Sequence, residues 1–426
     1  MRWSMVLALW LLPSAAFADG GFAEVRAHVF AGVDGEPVQV VERVRPELKT
    51  TLHERLRLNV TVGAALSQGR SMQKEVKRTI EQSDLGPLLD QAGCKWPQEQ
   101  NKVLQITSAE DYLSVQRLFL DIYLPQADLR IGRQAVQWGS AMLVNPTDPF
   151  PEVLLVDPWR FRRGVNALRA TVPIGEDHDI QMVLGMNDTL DAARVAARGR
   201  VNIGLADISL VGAYRQESEN GIVGLDVRGT AVVGYWLEGS LRLGDGEVTE
   251  EIAVGLDYSF PILEQLLIRA QYYRNGAGKK KQDATSALGG IGQSIELPIC
   301  TLGTLPLLED GGKSDPFAPF FRGRDYGMLM LSQGITQDLS SSAIWLQNLG
   351  DGSALVVPTI TWLANDWLEL ALAAQVPVST WGKGGELRPK KEDLVFSEET
   401  PAGRLEVDMS GLSPTATLIL WTRANF

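Results

Sequence analysis

The chain has 426 residues, a formal net charge of −12 and only two cysteines. The acidic balance argues against nucleic acid as a partner, because binding it needs a basic face. Beyond the first apolar stretch no run approaches the length of a spanning helix, and two cysteines form one bond at most, so helical membrane insertion and a disulfide scaffold are both excluded.

The N-terminus reads MRWSMVLALWLLPSAAFADGG. Arg2 supplies a positive start, Trp3 to Leu12 an apolar stretch, and Ala16-Phe17-Ala18 a small-x-small cleavage site, so residues 1–18 are expected to be a removed secretory signal. No cysteine follows the cleavage site, which argues against a lipoprotein. Residues 19–426 then form the mature chain.

From there the sequence keeps a period of two. RLRLNVTV sets Leu56, Leu58, Val60 and Val62 against Arg55, Arg57, Asn59 and Thr61. RVAARGRVNIGL sets Val195, Val201, Ile203 and Leu205 against Arg194, Arg198, Arg200 and Asn202. YWLEGSLRL and EEIAVGLDY alternate in the same way. Each is a strand with one apolar and one polar face.

Short connections at 124–128, 174–178, 260–265, 336–338 and 364–366 alternate with a second, more variable set. That set is long at 67–109, 139–163, 276–322 and 379–410, and brief near 218–220 and 351–352. Short turns on one rim and longer loops on the other are the pattern of a transmembrane β-barrel. The expected fold is therefore all-β: one closed antiparallel transmembrane barrel of about eighteen strands, with sixteen as the alternative count. Its short turns would face the periplasm and its long loops the exterior. The reading takes strands near 22–33, 37–50 and 54–66, hairpins from 110 to 378, and a last strand from about 413. Tyr235, Tyr258, Tyr272, Tyr326 and Trp362 fall at outward strand ends, as an aromatic girdle would.

The last stretch, SPTATLILWTRANF, alternates and ends on Phe426. Counting back by twos gives Ala424, Thr422, Leu420 and Leu418. Bacterial outer-membrane barrels end in this way, and the resemblance implies that the barrel-assembly machinery recognises the strand through Phe426. That strand must also pair with the first, because an open edge in lipid leaves backbone groups unsatisfied.

The stretch LRIGRQAVQWGSAMLVNPTDPF carries Gly132, Arg133 and Gln134, then Trp138 and Gly139, then Asn145, Pro146 and Asp148. This spacing resembles a family of bacterial outer-membrane barrels similar to alginate-export-type porins. The likeness covers about a tenth of the chain; it implies a barrel and a transport role, and it names no solute. Within the motif strict alternation fails. Leu129 and Ile131 would face lipid, and Arg133 two residues on would follow them, where a charge is costly. A bulge at Gly132 would turn Arg133 inward. Two readings of Arg133 stand: a charge at a pore constriction formed by an inward-folded loop bearing Asn145, Asp148 and Asp157, or a rim-level ion pair to Asp148 or Asp157.

Parity also places Arg55, Arg57, Arg117, Arg130, Arg169, Arg194, Arg198, Arg200, Arg228, Arg242 and Arg269 on inward positions, with Arg215 and Arg423 beside them. Against these stand Asp121, Asp226, Glu238, Glu251, Asp257 and Glu369. Arginine forks grip carboxylate, sulfate or phosphate with two hydrogen bonds, so the excess points to an anion pathway, although pairing with the acids would also brace the wall. Cys94 and Cys300 lie in two of the long loops, and in the oxidising periplasm they are expected to join if those loops meet.

Enzyme readings find no support in the sequence. His28, His53 and His178 lack metal-ligand spacing, and the long loops contain no histidine for a nucleophilic triad. No cofactor or metal is expected. The leading reading is an outer-membrane channel passing polar or anionic solutes, an anionic polysaccharide being one candidate. The alternative is a non-transporting barrel that anchors a multi-protein envelope assembly. The expected partners are outer-membrane lipid, the assembly machinery, the solute, and other envelope proteins in the second case.

Overall fold

The computed structural model describes residues 22–32, 39–69, 78, 105–107, 112–150, 162, 164–186, 193–216, 219–244, 247–278, 321, 323–381, 385–388, 395–400, 403–408 and 416–425. Cys94, Cys300, Asp157, Phe426 and the expected signal at 1–18 lie outside the described residues.

The strands are β1 (Phe22–Gly32), β2 (Gln39–His53), β3 (Leu56–Gly69), β4 (Gln105–Thr107), β5 (Tyr112–Tyr123), β6 (Asp128–Gln134), β7 (Val165–Ile174), β8 (His178–Met186), β9 (Ala193–Ile203), β10 (Ala206–Arg215) and β11 (Asn220–Thr230). They continue with β12 (Gly234–Gly244), β13 (Glu247–Phe260), β14 (Gln265–Asn275), β15 (Asp325–Gly334), β16 (Leu339–Asn348), β17 (Ser353–Asn365), β18 (Leu368–Ser379), β19 (Val395–Thr400), β20 (Gly403–Asp408) and β21 (Thr417–Asn425). The fold is all-β and antiparallel, as the two-residue period predicts. A 19-stranded sheet holds every strand but β19 and β20, which form a hairpin of their own.

Within the large sheet β4 is a three-residue addition to β5. The remaining strands pair in chain order, and each has a hydrogen-bonded neighbour on both sides. β1 pairs with β2 through Phe22↔Glu47 to Phe30↔Gln39, and with β21 through Glu24↔Asn425 to Gly32↔Thr417. β21 in turn pairs with β18. The ladder thus returns to the strand on which it began.

Side chains sort by the same period. Leu168, Leu184, Val195, Leu210, Val223, Leu237, Val254, Leu256, Leu329, Leu372, Leu418 and Leu420 are all exposed on the outer face. Their strand neighbours Ala196, Val211, Ile222, Ala253, Met328, Ala371 and Ile419 are buried on the inner face. An apolar surface of this extent on the outer face is the reverse of the polar exterior of a water-soluble domain.

Tyr258, Tyr272 and Trp362 are outward and exposed. Tyr326 is not, which corrects the girdle expectation: it is fully buried and packs against Phe321 at a centroid distance of 4.6 Å. Here Tyr326, Met328 and Met330 alternate with Gly327, Leu329 and Leu331, so both faces are apolar and hydropathy alone does not set the parity. A second correction concerns Arg55. β2 runs to His53 and β3 begins at Leu56, which leaves Arg55 exposed in the two-residue turn rather than on the wall.

Candidate functional site

The motif stretch builds the interior. β6 is only 7 residues long and stops at Gln134, where the chain leaves the sheet and runs without regular structure to Phe150. Gly132 makes the departure. Its φ is 120°, a conformation closed to side-chain-bearing residues, and a Cβ there would collide with the Leu118 carbonyl. Beyond it Arg133 is buried and inward, donating to Asn166 Oδ1 at 3.3 Å, while Leu118, opposite it in register, stays exposed. The inward turn of Arg133 at Gly132 is what the failed alternation required.

Segment 135–150 lies across the inner face of the ring. Val136, Trp138 and Phe150 pack with Ala167, Val183, Ala196 and Val211 of β7 to β10. Further along, Val144 joins Ala253, Tyr273, Phe321, Tyr326, Met328 and Leu346 on the far wall, with Ala141, Leu143 and Leu387 packed against them.

Polar anchors hold the segment between these clusters. Trp138 Nε1 donates to Gln181 Oε1 of β8 at 2.6 Å, and Met142 N donates to Gln271 Oε1 of β14 at 2.8 Å. Ser140 Oγ donates to Asp226 of β11. The centre is Glu238 of β12, which has 0% exposure. Its Oε2 accepts from Ser140 N and Ala141 N, both at 3.0 Å, and its Oε1 from Thr147 N at 2.8 Å and Thr147 Oγ1 at 2.7 Å. Gly139, with φ 89°, permits the approach: a Cβ there would meet Glu238 Oε1 and the Asn145 side chain.

Asn145 and Asp148 both sit in this segment. Asp148 N donates to Asn145 O at 3.0 Å, and the Asp148 carboxylate accepts from Phe150 N at 3.0 Å and from Arg162. The cation on Asp148 is thus Arg162 and not Arg133; the other acid named for Arg133, Asp157, lies outside the described residues. Burial pushes the Asp148 carboxyl up from its ordinary value, and Arg162 opposes that shift. Arg162 also donates to Phe150 O at 2.5 Å, and its own carbonyl accepts from Arg117 at 2.6 Å.

The other arginines line the wall beside the segment. Arg198 lies over the Trp138 ring at 5.5 Å from the centroid, and Arg194 over the Phe150 ring at 6.0 Å. Many are ion-paired: Arg130 to Asp121 at 2.5 Å, Arg200 and Arg198 to Asp179 at 2.6 and 3.5 Å, Arg269 to Asp257 at 3.8 Å, Arg242 to Glu251, and Arg423 to Glu369. Arg130 also covers Phe119 at 4.0 Å and Arg57 covers Tyr123 at 5.5 Å. Arg169 faces Arg130 in register, and Arg228 faces Asp207.

Sequence reasoning missed the parts played by four residues. Arg43 and Arg45 share the inward face of β2 with Val41, and only a firm parity for that strand would have found them. Arg162 fell inside what read as loop. The anchoring role of Glu238 had no sequence signal, since its partners lie 91 to 98 residues away.

No protein-family profile and no curated sequence matches this chain. Solved structures do. Pseudomonas aeruginosa OccK11 (OpdR) aligns over 95% of this chain and 95% of its own, at 12% identity and a TM-score of 0.51. Acinetobacter baumannii OccAB3 aligns over 95% and 99%, at 8% identity and a TM-score of 0.52. Escherichia coli Wzi, described as a carbohydrate-binding β-barrel involved in group 1 capsule assembly, aligns over 99% and 87%, at 8% identity and a TM-score of 0.52. The fold is that of bacterial outer-membrane β-barrels. At these identities the likeness is one of fold.

Proposed function

We propose that the chain is a closed transmembrane barrel of the bacterial outer membrane that works as a porin-like channel for polar or anionic solutes. The observation that carries this reading is segment 135–150, which crosses the interior opposite a wall of arginines. The returning ladder and the exposed apolar outer face support closure and placement in lipid. Transport in this reading is passive. The arginines raise the local concentration of anions, because charges beside low-dielectric walls act strongly on nearby ions. The segment narrows the passage, so a solute must pass beside it along the arginine-bearing wall. An anionic polysaccharide is the narrower form of this proposal, supported by the motif's resemblance to alginate-export-type porins.

Planar-bilayer reversal potentials test the reading. Wild type is expected to prefer anions, and replacing Arg198 and Arg200 with glutamate should weaken or invert that preference. A conducting wild type that prefers cations would overturn the arginine argument. Absence of conductance would favour a non-transporting anchor. That second reading draws support from Val144, Phe321 and Leu387, which come from three different connections and meet in one cluster.

A further inference from the structure

The short-turn rim carries exposed apolar side chains. Leu205 in the β9–β10 turn is 68% exposed, Val232 in the β11–β12 turn 85%, and Leu263 in the β13–β14 turn 71%. Trp367 in the β17–β18 turn is exposed as well. These turns follow one another along the rim as an arc, and backbone hydrogen bonds join neighbours within it in two sets: Thr230 N to Leu205 O at 3.2 Å in one, and Glu264 N to Gly334 O at 3.2 Å with Leu363 N to Asp338 O at 2.8 Å in the other. Tyr258 and Trp362, outward and exposed, mark the level of the lipid interface, and the tips at Leu263 and Trp367 lie beyond it along the chain.

Leu263 carries a second cost. Its φ is 51°, the left-handed region, which a leucine occupies with strain and a glycine or asparagine occupies readily. Such a combination of strain and exposed apolar surface is characteristic of a contact site.

Charge states the chemistry of the contact. The turns at 204–205, 231–233, 261–264, 335–338 and 366–367 contain Glu264, Asp338 and Asp366 and no lysine or arginine. The adjoining β7–β8 turn adds Glu176 and Asp177. A second copy of this rim, or an anionic lipid surface, would meet it with like charge.

We propose that this arc docks a soluble periplasmic protein whose contact surface sets lysine or arginine side chains around apolar pockets. The proposal needs the short-turn rim to face the periplasm; it does not depend on conductance. The test places photoreactive benzoylphenylalanine at Val232 in the full chain, in the outer membrane of living cells. Irradiation is expected to give one discrete adduct with a protein of basic sequence, identified by mass spectrometry. Converting Glu264, Asp338 and Asp366 together to lysine should lower its yield about tenfold, the combined effect of three exposed charge pairs. Leu263→Asn should lower the yield as well while relieving the backbone, so loss of folding does not account for it. Heat-modifiable gel migration and single-channel conductance should stay as in wild type for both variants. Adducts with lipid alone, with a second copy of the chain or with nothing would overturn the proposal, and so would a protein adduct indifferent to both variants.

Discussion

Replacing Glu238 with alanine removes the acceptor of four donors: the amides of Ser140, Ala141 and Thr147 and the Thr147 hydroxyl. A buried hydrogen bond contributes about 0.5–1.5 kcal/mol net of its competition with water. A net loss of about 1 kcal/mol per bond gives about 4 kcal/mol for the set, a shift of roughly a thousandfold in the balance between pinned and released arrangements of residues 139–147. The contacts of Trp138 and Val144 stay in place, so the segment loosens at its centre and remains inside the ring. Single-channel recording should then show higher conductance and broader open-channel noise than wild type. Glu238→Gln should fall between the two, because its carbonyl oxygen still serves Thr147 while its amide faces the Ser140 and Ala141 N–H groups, donor against donor. If Glu238→Ala folds with normal heat-modifiable migration and its conductance and noise match wild type, the anchoring argument fails.

Gly132→Ala should destabilise the fold by about 1–3 kcal/mol through the strained φ and the collision with Leu118 O, and a lower urea midpoint in lipid vesicles would record it. The same change should weaken anion preference by disturbing the inward placement of Arg133. For Cys94 and Cys300 we expect one disulfide, which stabilises by about 3–5 kcal/mol in the chain-entropy model; non-reducing peptide mapping that finds both thiols free would refute it.

The ring was legible because its outer face is apolar, so each strand alternates in hydropathy, as Val195, Val201 and Ile203 do against Arg194, Arg198 and Arg200. The turns were legible for a related reason, since the apolar alternation breaks at each of them. Where both faces are apolar the rule gives no answer, and Tyr326 was assigned to the wrong side. Where a turn is tight, one residue of error moves a side chain off the wall, as at Arg55. The interior is harder to read. Gly132 betrayed the departure of segment 135–150, because a charge two residues after Ile131 made no sense in lipid. The destination of that segment depends on Glu238, Gln271 and Met328, distant in sequence, and no local pattern encodes such a pairing.

What places the segment is the uneven composition of the inner face. From β5 to β10 that face carries Arg117, Arg130, Arg169, Arg194, Arg198 and Arg215, with Asp121 and Asp179 as partial counterweights. From β15 to β18 it turns apolar, with Met328, Leu346, Val357, Ala371 and Ala373 all buried. A loop crossing a water-filled ring at random would leave Leu143 and Val144 in water, at a cost of about 1.5–3 kcal/mol for each large apolar side chain. The apolar half covers them instead. On the basic half the segment offers aromatic faces, Trp138 to Arg198 and Phe150 to Arg194, which attract guanidinium groups without neutralising them. A carboxylate in either position would pair with the arginine and cancel the charge on which an anion pathway depends. The segment's own acid, Asp148, is held by Arg162 rather than by Arg194 or Arg198. In the proposed channel the two halves of the inner face would divide the work: the apolar half fixes the loop, and the basic half, partly countered by Asp121 and Asp179, would face the passage.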